Sequence, residues 1–514
     1  MLSKVTSSTI IGIDGYLVTV ETDIRRGLPS FSIVGLPESA VRESRERVSS
    51  AIANSGYEFP LKRITVNLAP ADVRKSGTAF DLAIAVGILS ATGVVSGNRL
   101  ENHIVLGELA LDGSLRRVRG VLSMSLEARN AGFDGAVVPA DNGPEVAIVE
   151  GLKVIAPPHL KDAVTYLDSG RMTSRNLALT DKPVAAPLRY EEDMADVRGQ
   201  ETARRALEIA CAGGHNVLMI GPPGSGKTML SRRLPSILPP MTLEERIETT
   251  RVHSVAGLLP EGISLVTGRP FRAPHHTISD VGIVGGGNLP RPGEVSLANN
   301  GVLFLDELPE FRRNTLEVLR QPLEDGRVNL VRASFSATYP ARFMLVAAMN
   351  PCPCGYFTDV SKTCTCSSTD IQRYLSRISG PLLDRIDIHL DLPSVRVGDL
   401  LGKSSGEPSS VVAGRIESAR KVQLERCEGI SGKFCNAHMT ASEARNLFNL
   451  QAESLDFLRK AVGRLGFSAR ALHRIIRVGR TIADLEGDDV VRVHHIAEAV
   501  QYRTLDRPFW YDTF

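Results

Sequence analysis

Residues 217–228 read VLMIGPPGSGKT: four apolar residues, a glycine-rich turn, then Lys227 and Thr228 at the head of a helix-forming run. Strand, glycine loop and helix in that order are what a phosphate-binding loop requires. The turn consists of Gly221, Pro222, Pro223, Gly224, Ser225 and Gly226. Its glycines let backbone N–H groups converge on phosphate oxygens, and the helix N-terminus adds its positive dipole end. Lys227 offers a cation to the phosphates, and Thr228 offers a hydroxyl to Mg²⁺, which neutralises charge during phosphoryl transfer. A plain glycine turn before a helix is the alternative, and it does not account for the full spacing.

A phosphate loop positions its ligand but does not hydrolyse it, so an acidic partner is expected. VLFLDE, residues 302–307, supplies one. Its four apolar residues form a buried strand whose end presents Asp306, suited to Mg²⁺ through water, and Glu307, suited to polarising an attacking water. Two acids capping the next helix are the alternative. Asn350 follows the apolar strand 343–347, where a neutral amide orients water without competing for metal; an ordinary turn residue would look the same. Arg385 in GPLLDRIDI lies where a neighbouring subunit's γ-phosphate site would receive it, or it makes a surface salt bridge. Arg470 in GFSARALHR either reports nucleotide state to a helical lid or is a solvated helix arginine.

At 514 residues the chain exceeds one hydrophobic core, so two to four domains are expected. Apolar content of 43% and charged content of 23% lie near the globular average, which argues against disorder and a membrane class. Polar residues and glycines interrupt the first twenty positions, so no secretion signal is expected, and no run of ~18 apolar residues occurs. The expected location is the cytoplasm. A net charge of +2 does not by itself call for nucleic acid.

The fold class expected is α/β and multidomain. Residues 1–165 alternate strand and helix signals: 61–68 reads as a strand with Ile64, Val66 and Leu68 on one face, and Val41, Val48, Ala51 and Ile52 make a helical stripe. Ser, Asp and Pro mark a linker over 166–195, with Pro183 and Pro187 blocking regular structure. Residues 196–402 read as a parallel αβα core built on the strands 217–220, 302–305 and 343–347. KSSGEPSS, 403–410, then leads into a helical bundle over 403–514, with Phe448, Leu455, Phe457 and Leu458 typical of its apolar positions.

Cys352, Cys354, Cys364 and Cys366 form two C-x-C pairs joined by nine residues. Four thiolates satisfy tetrahedral Zn²⁺ and leave no open position, so the site would be structural; buried free thiols are the alternative. Cys211, Cys427 and Cys435 are isolated and read as simple thiols.

GPPGSGKT, RPFRAPHHTISDVGIVGGG (269–287), VLFLDELPEF (302–311), the stretch 324–353 and SGPLLDRID (379–387) occur in this order. Together they resemble the magnesium-chelatase-like AAA+ ATPases of the YifB or ComM type, over essentially the whole chain. The resemblance implies that Lys227 and Thr228 belong to Walker A, Asp306 and Glu307 to Walker B, and that Asn350 is sensor 1. It makes Arg385 an arginine finger and Arg470 sensor 2. It also implies an insert over 262–298 and a pre-sensor-1 hairpin over 326–339, GRVNLVRASFSATY. In related motors both line a central pore, so Arg327 and Arg332 become candidate DNA-phosphate contacts, against ordinary solvated charges.

The N-terminal domain resembles the proteolytic domain of Lon through GELALDGSLRRVRGVL (107–122). Leu122 stands at the position of the catalytic lysine and Ala79 at that of the serine, so no peptidase is expected. The resemblance favours a homo-hexameric motor using ATP and Mg²⁺ on single-stranded, forked or branched DNA, a helicase promoting branch migration in recombination and natural transformation. A chelatase-like chaperone remodelling a protein partner is the second reading. An ATP-dependent protease conflicts with Ala79 and Leu122.

Overall fold

The computed structural model describes residues 1–171, 190–394 and 406–503, apart from positions 76, 261, 288–289, 333–334, 358, 360–361 and 431. The chain divides into two units. The first takes in Met1–Ala186, Arg246–Val266 and Asn329–Tyr339; the second takes in Pro187–Glu245, Thr267–Val328 and Pro340–Phe514. Most of the expected linker, 172–189, lies outside the described residues, and the helix Leu160–Ser169 runs into its start.

The first unit is built on a seven-stranded mixed sheet, in the order 30–34, 63–69, 14–25, 2–11, 103–105, 135–137, 153–155. Leu2–Ile11 and Asp14–Arg25 pair antiparallel, and alternation along the second strand buries Val18, Val20, Thr22 and Ile24. The strand expected over 61–68 is found at Arg63–Ala69 with Ile64, Val66 and Leu68 buried; Leu61 is 80% exposed and stays outside the ladder. Val41, Val48, Ala51 and Ile52 are the buried stripe of the helix Ser39–Asn54. Ala79 and Leu122 are both buried core residues.

The helix Asp81–Ala91 is apolar and buried along nearly its whole length, and its first residue carries a charge into that setting. Burial pushes the Asp81 carboxyl up to about 6, against the pull of Arg47, whose Nε lies 2.7 Å away. Removing one partner of such a pair strands a buried charge. Arg47→Ala is therefore expected to destabilise this unit by about 3 kcal/mol or more, measured by urea denaturation, and Asp81→Asn in the same chain should recover part of the loss.

Residues 246–266 join this unit although their sequence neighbours belong to the other. Arg251 donates to Asp14 Oδ1 (2.6 Å) and the Ile13 carbonyl, while the Ser254 hydroxyl donates to the buried Glu145 (2.9 Å) and accepts from the Gly120 N–H. Burial raises the pKa of Glu145, and hydrogen bonds from Asn142 and Ser254 oppose that shift.

In the second unit all five strands of the main sheet are parallel, in the order 271–272, 302–305, 344–349, 217–220, 388–391. Val217–Ile220, Val302–Leu305 and Met344–Met349 are buried at every position, the signature of a sheet covered on both faces. The C-terminal region is helical: Ser409–Arg426, Ala441–Leu447, Ala452–Leu465, Ala469–Glu486 and Val493–Gln501. Phe448 and Leu458 are buried there, but Leu455 is 40% exposed. The buried stripe of its helix runs through Ser454, Leu458 and Ala461, and Leu455 sits one residue, about 100°, off it. Among the described residues, no helix is long and apolar enough to cross a membrane.

Candidate nucleotide-binding site

The parallel register gathers the site. Ile220 lies beside Met349 on one side and Asp391 on the other, so the glycine turn and Asn350 leave the sheet together. Leu305 lies beside Ala347, which brings Asp306 and Glu307 out at the same end of the sheet. Within the turn, Gly224 and Gly226 have φ of +80° and +89°, a conformation costly to residues with a Cβ, and the helix Lys227–Arg233 follows at once.

Lys227 Nζ donates to the carbonyls of Gly221 (2.7 Å) and Pro222 (2.9 Å), and to Asn350 Oδ1 (3.2 Å). Burial brings its ammonium down to about 8, partly offset by the charge of Asp306. The Thr228 hydroxyl donates to Asp306 Oδ2 at 2.7 Å, so two hard oxygens stand together where Mg²⁺ would bind, and both suit that cation. Glu307 adopts φ +54°, and its N–H donates to Asp306 Oδ1 (3.0 Å), which orients that carboxylate. The Glu307 side chain is exposed, and one of its oxygens lies 3.3 Å from His276 Nδ1.

The arginines are placed differently. Arg385 is buried, ion-paired with Glu324, and donates to the Pro381 carbonyl at 2.7 Å. Arg470 is exposed in the first turn of the helix Ala469–Glu486. Hydrogen bonds thus pair Lys227 with Asn350 and Thr228 with Asp306, while Arg385 and Arg470 have other surroundings. Arg327 is exposed at the start of the strand Arg327–Arg332, and the side chain of Arg332 lies outside the described residues. Two polar residues of this region escaped the sequence reading. Gln200, at φ +55°, donates to the Ser225 and Pro393 carbonyls, and His276 meets Glu307. Their signals are a polar residue immediately before a helix and a His pair following a short strand.

The four clustered cysteines converge. Sγ atoms of Cys352 and Cys354 lie 3.3 Å apart, those of Cys352 and Cys364 3.7 Å, and those of Cys354 and Cys364 3.5 Å; Cys366 accepts from the Cys354 N–H. A tetrahedral Zn²⁺ with Zn–S near 2.3 Å needs S···S separations of about 3.8 Å, so the set fits the ion. Burial, then hydrogen bonding to Cys354 and Cys364, pushes the Cys352 thiol up; for Cys354 burial is outweighed by N–H groups of Thr365 and Tyr356, which bring it down. The loop also touches the phosphate turn: a Cβ on Gly355 would lie 2.6 Å from Pro223. Purified protein is expected to carry about one zinc per chain by elemental analysis, lost in Cys352→Ser/Cys366→Ser. A zinc-free preparation with full ATPase activity would count against the site.

Glu486, Asp488, His494 and His495 form a second cluster of possible ligands. Here His495 Nδ1 accepts from the Arg492 N–H (2.9 Å), so a neutral ring carries its proton on Nε2 and gives it to Glu486 (3.1 Å). That is the chemistry of a helix cap.

Residues 193–400 match the family described as magnesium chelatase, subunit ChlI; residues 20–142 match subunit ChlI of Mg-chelatase, and residues 406–503 its C-terminal part. The chain is 44% identical over 510 residues to YifB of Escherichia coli (strain K12), covering 98% of each. The same coverage holds for competence protein ComM of Haemophilus influenzae, at 43% identity. The chain belongs to the YifB/ComM family of magnesium-chelatase-like proteins. The magnesium-chelatase 38 kDa subunit of Rhodobacter capsulatus is more distant, 26% identical over 199 residues, which are 35% of this chain and 56% of that one. Family membership and the site agree on a chelatase-like AAA+ fold, with a parallel nucleotide core and a helical C-terminal region. They point to ATP and Mg²⁺ as ligands and to ATPase activity. The cysteine loop begins just after Asn350, which itself follows the strand Met344–Met349.

Proposed function

We propose that this YifB/ComM-family chain is an ATP-driven ring motor acting on DNA, a hexameric helicase that promotes branch migration during recombination and natural transformation. The observation that carries the ATPase reading is the hydrogen-bonded set Lys227–Asn350 (3.2 Å) and Thr228–Asp306 (2.7 Å), assembled at one end of a parallel sheet. Lys227 holds the terminal phosphates, Thr228 and Asp306 hold Mg²⁺, and the ion supplies charge neutralisation when bound. Glu307 takes the proton of the attacking water, and the Asn350 amide orients that water. Arg385 from a neighbouring subunit stabilises charge at the γ-phosphate, and Arg470 reports nucleotide state to the helical lid.

The DNA reading is supported by the competence protein among the relatives and by exposed Arg327 at the base of its hairpin. Arg327 and Arg332 are assigned to phosphate contacts, for which affinity falls steeply with salt. The first unit is read as a Lon-like domain without peptidase activity, because Ala79 and Leu122 offer no nucleophile or base. The motor is assigned to the cytoplasm and its cysteine loop to structural Zn²⁺. The competing reading, a chaperone remodelling a protein partner, draws on the chelatase-subunit matches over three stretches of the chain. Steady-state ATPase rates with and without single-stranded, duplex and four-way-junction DNA separate the two. Stimulation by DNA is expected; a rate indifferent to all three moves the assignment to the chaperone.

A further inference from the structure

We infer that one end of the first unit's sheet is a binding surface for single-stranded nucleic acid, with Arg26, Lys62 and Arg63 on phosphates and Leu28, Leu61 and Phe31 against bases; the inference rests on the DNA reading above and gives the first unit a part in it. The register leads to it. The strand Asp14–Arg25 ends in the turn RRGLPS, residues 25–30, which is exposed at every position. Arg63, the first residue of its strand, is the register partner of Arg25 on one side and of Ser30 on the other. Gly27 comes close as well, since a Cβ added there would lie 3.8 Å from the Cβ of Arg63. The Lys62 carbonyl accepts from the Ser30 N–H. Arg25, Arg26, Lys62 and Arg63 are thus brought to one end of the sheet, all four of them exposed.

Two features of this end point to an anion. Arg25 and Arg63 stand directly opposite each other in an antiparallel ladder, a like-charge pairing that weakens a sheet and that a phosphate between them would relieve. Nearby acid does not balance the set: Asp23 takes Arg25 at 2.5 Å, and Glu58 is exposed, but among the described residues no acid pairs with Arg26, Lys62 or Arg63.

The apolar groups narrow the anion to a single strand. Leu28 is 89% exposed inside the basic turn, and Leu61 is 80% exposed beside Lys62. Phe31 follows Ser30 on the edge strand, half-buried, with its ring 6.1 Å from that of Phe59, which leads into Pro60 and Leu61. Cations that follow a phosphate backbone, interleaved with aromatic and aliphatic faces, match unpaired bases; in a duplex those faces are stacked away. The strand Ser30–Val34 is also the edge of its sheet, paired on one side only, so a chain has room to lie along it.

The test uses the full-length chain and the fluorescence anisotropy of a labelled oligothymidine over a series of salt concentrations. Each phosphate neutralised on a single strand adds about 0.7 to the slope of log K against log salt, so Arg26→Gln/Lys62→Gln/Arg63→Gln is expected to flatten the slope by about 2 and to lower affinity about 100-fold at ~0.1 M salt. Leu28→Ser/Leu61→Ser should weaken binding about tenfold at an unchanged slope, because it removes base contacts and no charge. Arg129→Gln/Lys153→Gln/Lys161→Gln removes as much charge from exposed positions elsewhere in the unit, Lys153 lying on the opposite edge strand, and should cost less than about threefold. Urea midpoints and ATP turnover without DNA are expected to match wild type in all three variants. A first variant with wild-type affinity and slope, or one no weaker than the third, overturns the inference and leaves the DNA reading standing. Failure of the wild type to bind any single strand removes both. Capture of wild type but not of the first variant by phosphatidylserine vesicles, with equal affinity of the two for the single strand, assigns the surface to a membrane and overturns the inference.

Discussion

Lys227→Ala should weaken nucleotide binding by on the order of 100-fold, because an ammonium aimed at polyphosphate contributes charge-assisted hydrogen bonds that no neighbour replaces. The same ammonium now rests on the Gly221 and Pro222 carbonyls and on Asn350, so removing it also leaves those acceptors unpaired by it. Glu307→Gln should behave in the opposite way: it keeps the shape and the binding contacts but cannot take a proton, so hydrolysis falls by about 10²–10⁴ at unchanged affinity. Fluorescent-nucleotide titration and turnover, measured on both variants, give the contrast. Equal effects on binding and turnover in the two would break the division of labour between the loop and the acidic pair.

Arg385→Ala should reduce hydrolysis by about 10³ while leaving nucleotide affinity largely intact, since an arginine supplied to a neighbour's γ-phosphate acts on the transition state. The structure adds a condition. Within one chain Arg385 is buried against Glu324, and that pair has to part before the guanidinium reaches another subunit. Glu324→Ala therefore serves as the control. If the pairing only stores the arginine, Glu324→Ala keeps or raises the rate. If it anchors the fold around Arg474 and Asn216, which both bond the Arg385 carbonyl, the two variants fail together and the finger assignment falls.

The nucleotide core was legible because its signals are local. Glycine spacing, four-residue apolar strands and acids at a strand end are properties of short segments, and the fully buried strands Val217–Ile220 and Val302–Leu305 follow from them. Contacts between distant segments were not legible. Nothing in the letters of residues 246–266 says that Arg251 and Ser254 bond Asp14 and Glu145 more than a hundred positions earlier. His276 and Gln200 escaped for a related reason: each matters through one long-range partner, and a single polar residue beside a strand or helix has many ordinary uses. The cysteine cluster was visible by spacing, while its approach to Pro223 needed coordinates.

The most direct test of the DNA-motor reading is junction migration itself. A labelled four-way junction and a forked duplex are incubated with ATP and either wild-type protein or Glu307→Gln, and the products are resolved on a native gel. Wild type is expected to migrate the junction and separate the fork, and Glu307→Gln to bind both without moving either. Vigorous ATP hydrolysis by wild type that leaves both substrates unbound and unchanged would contradict it.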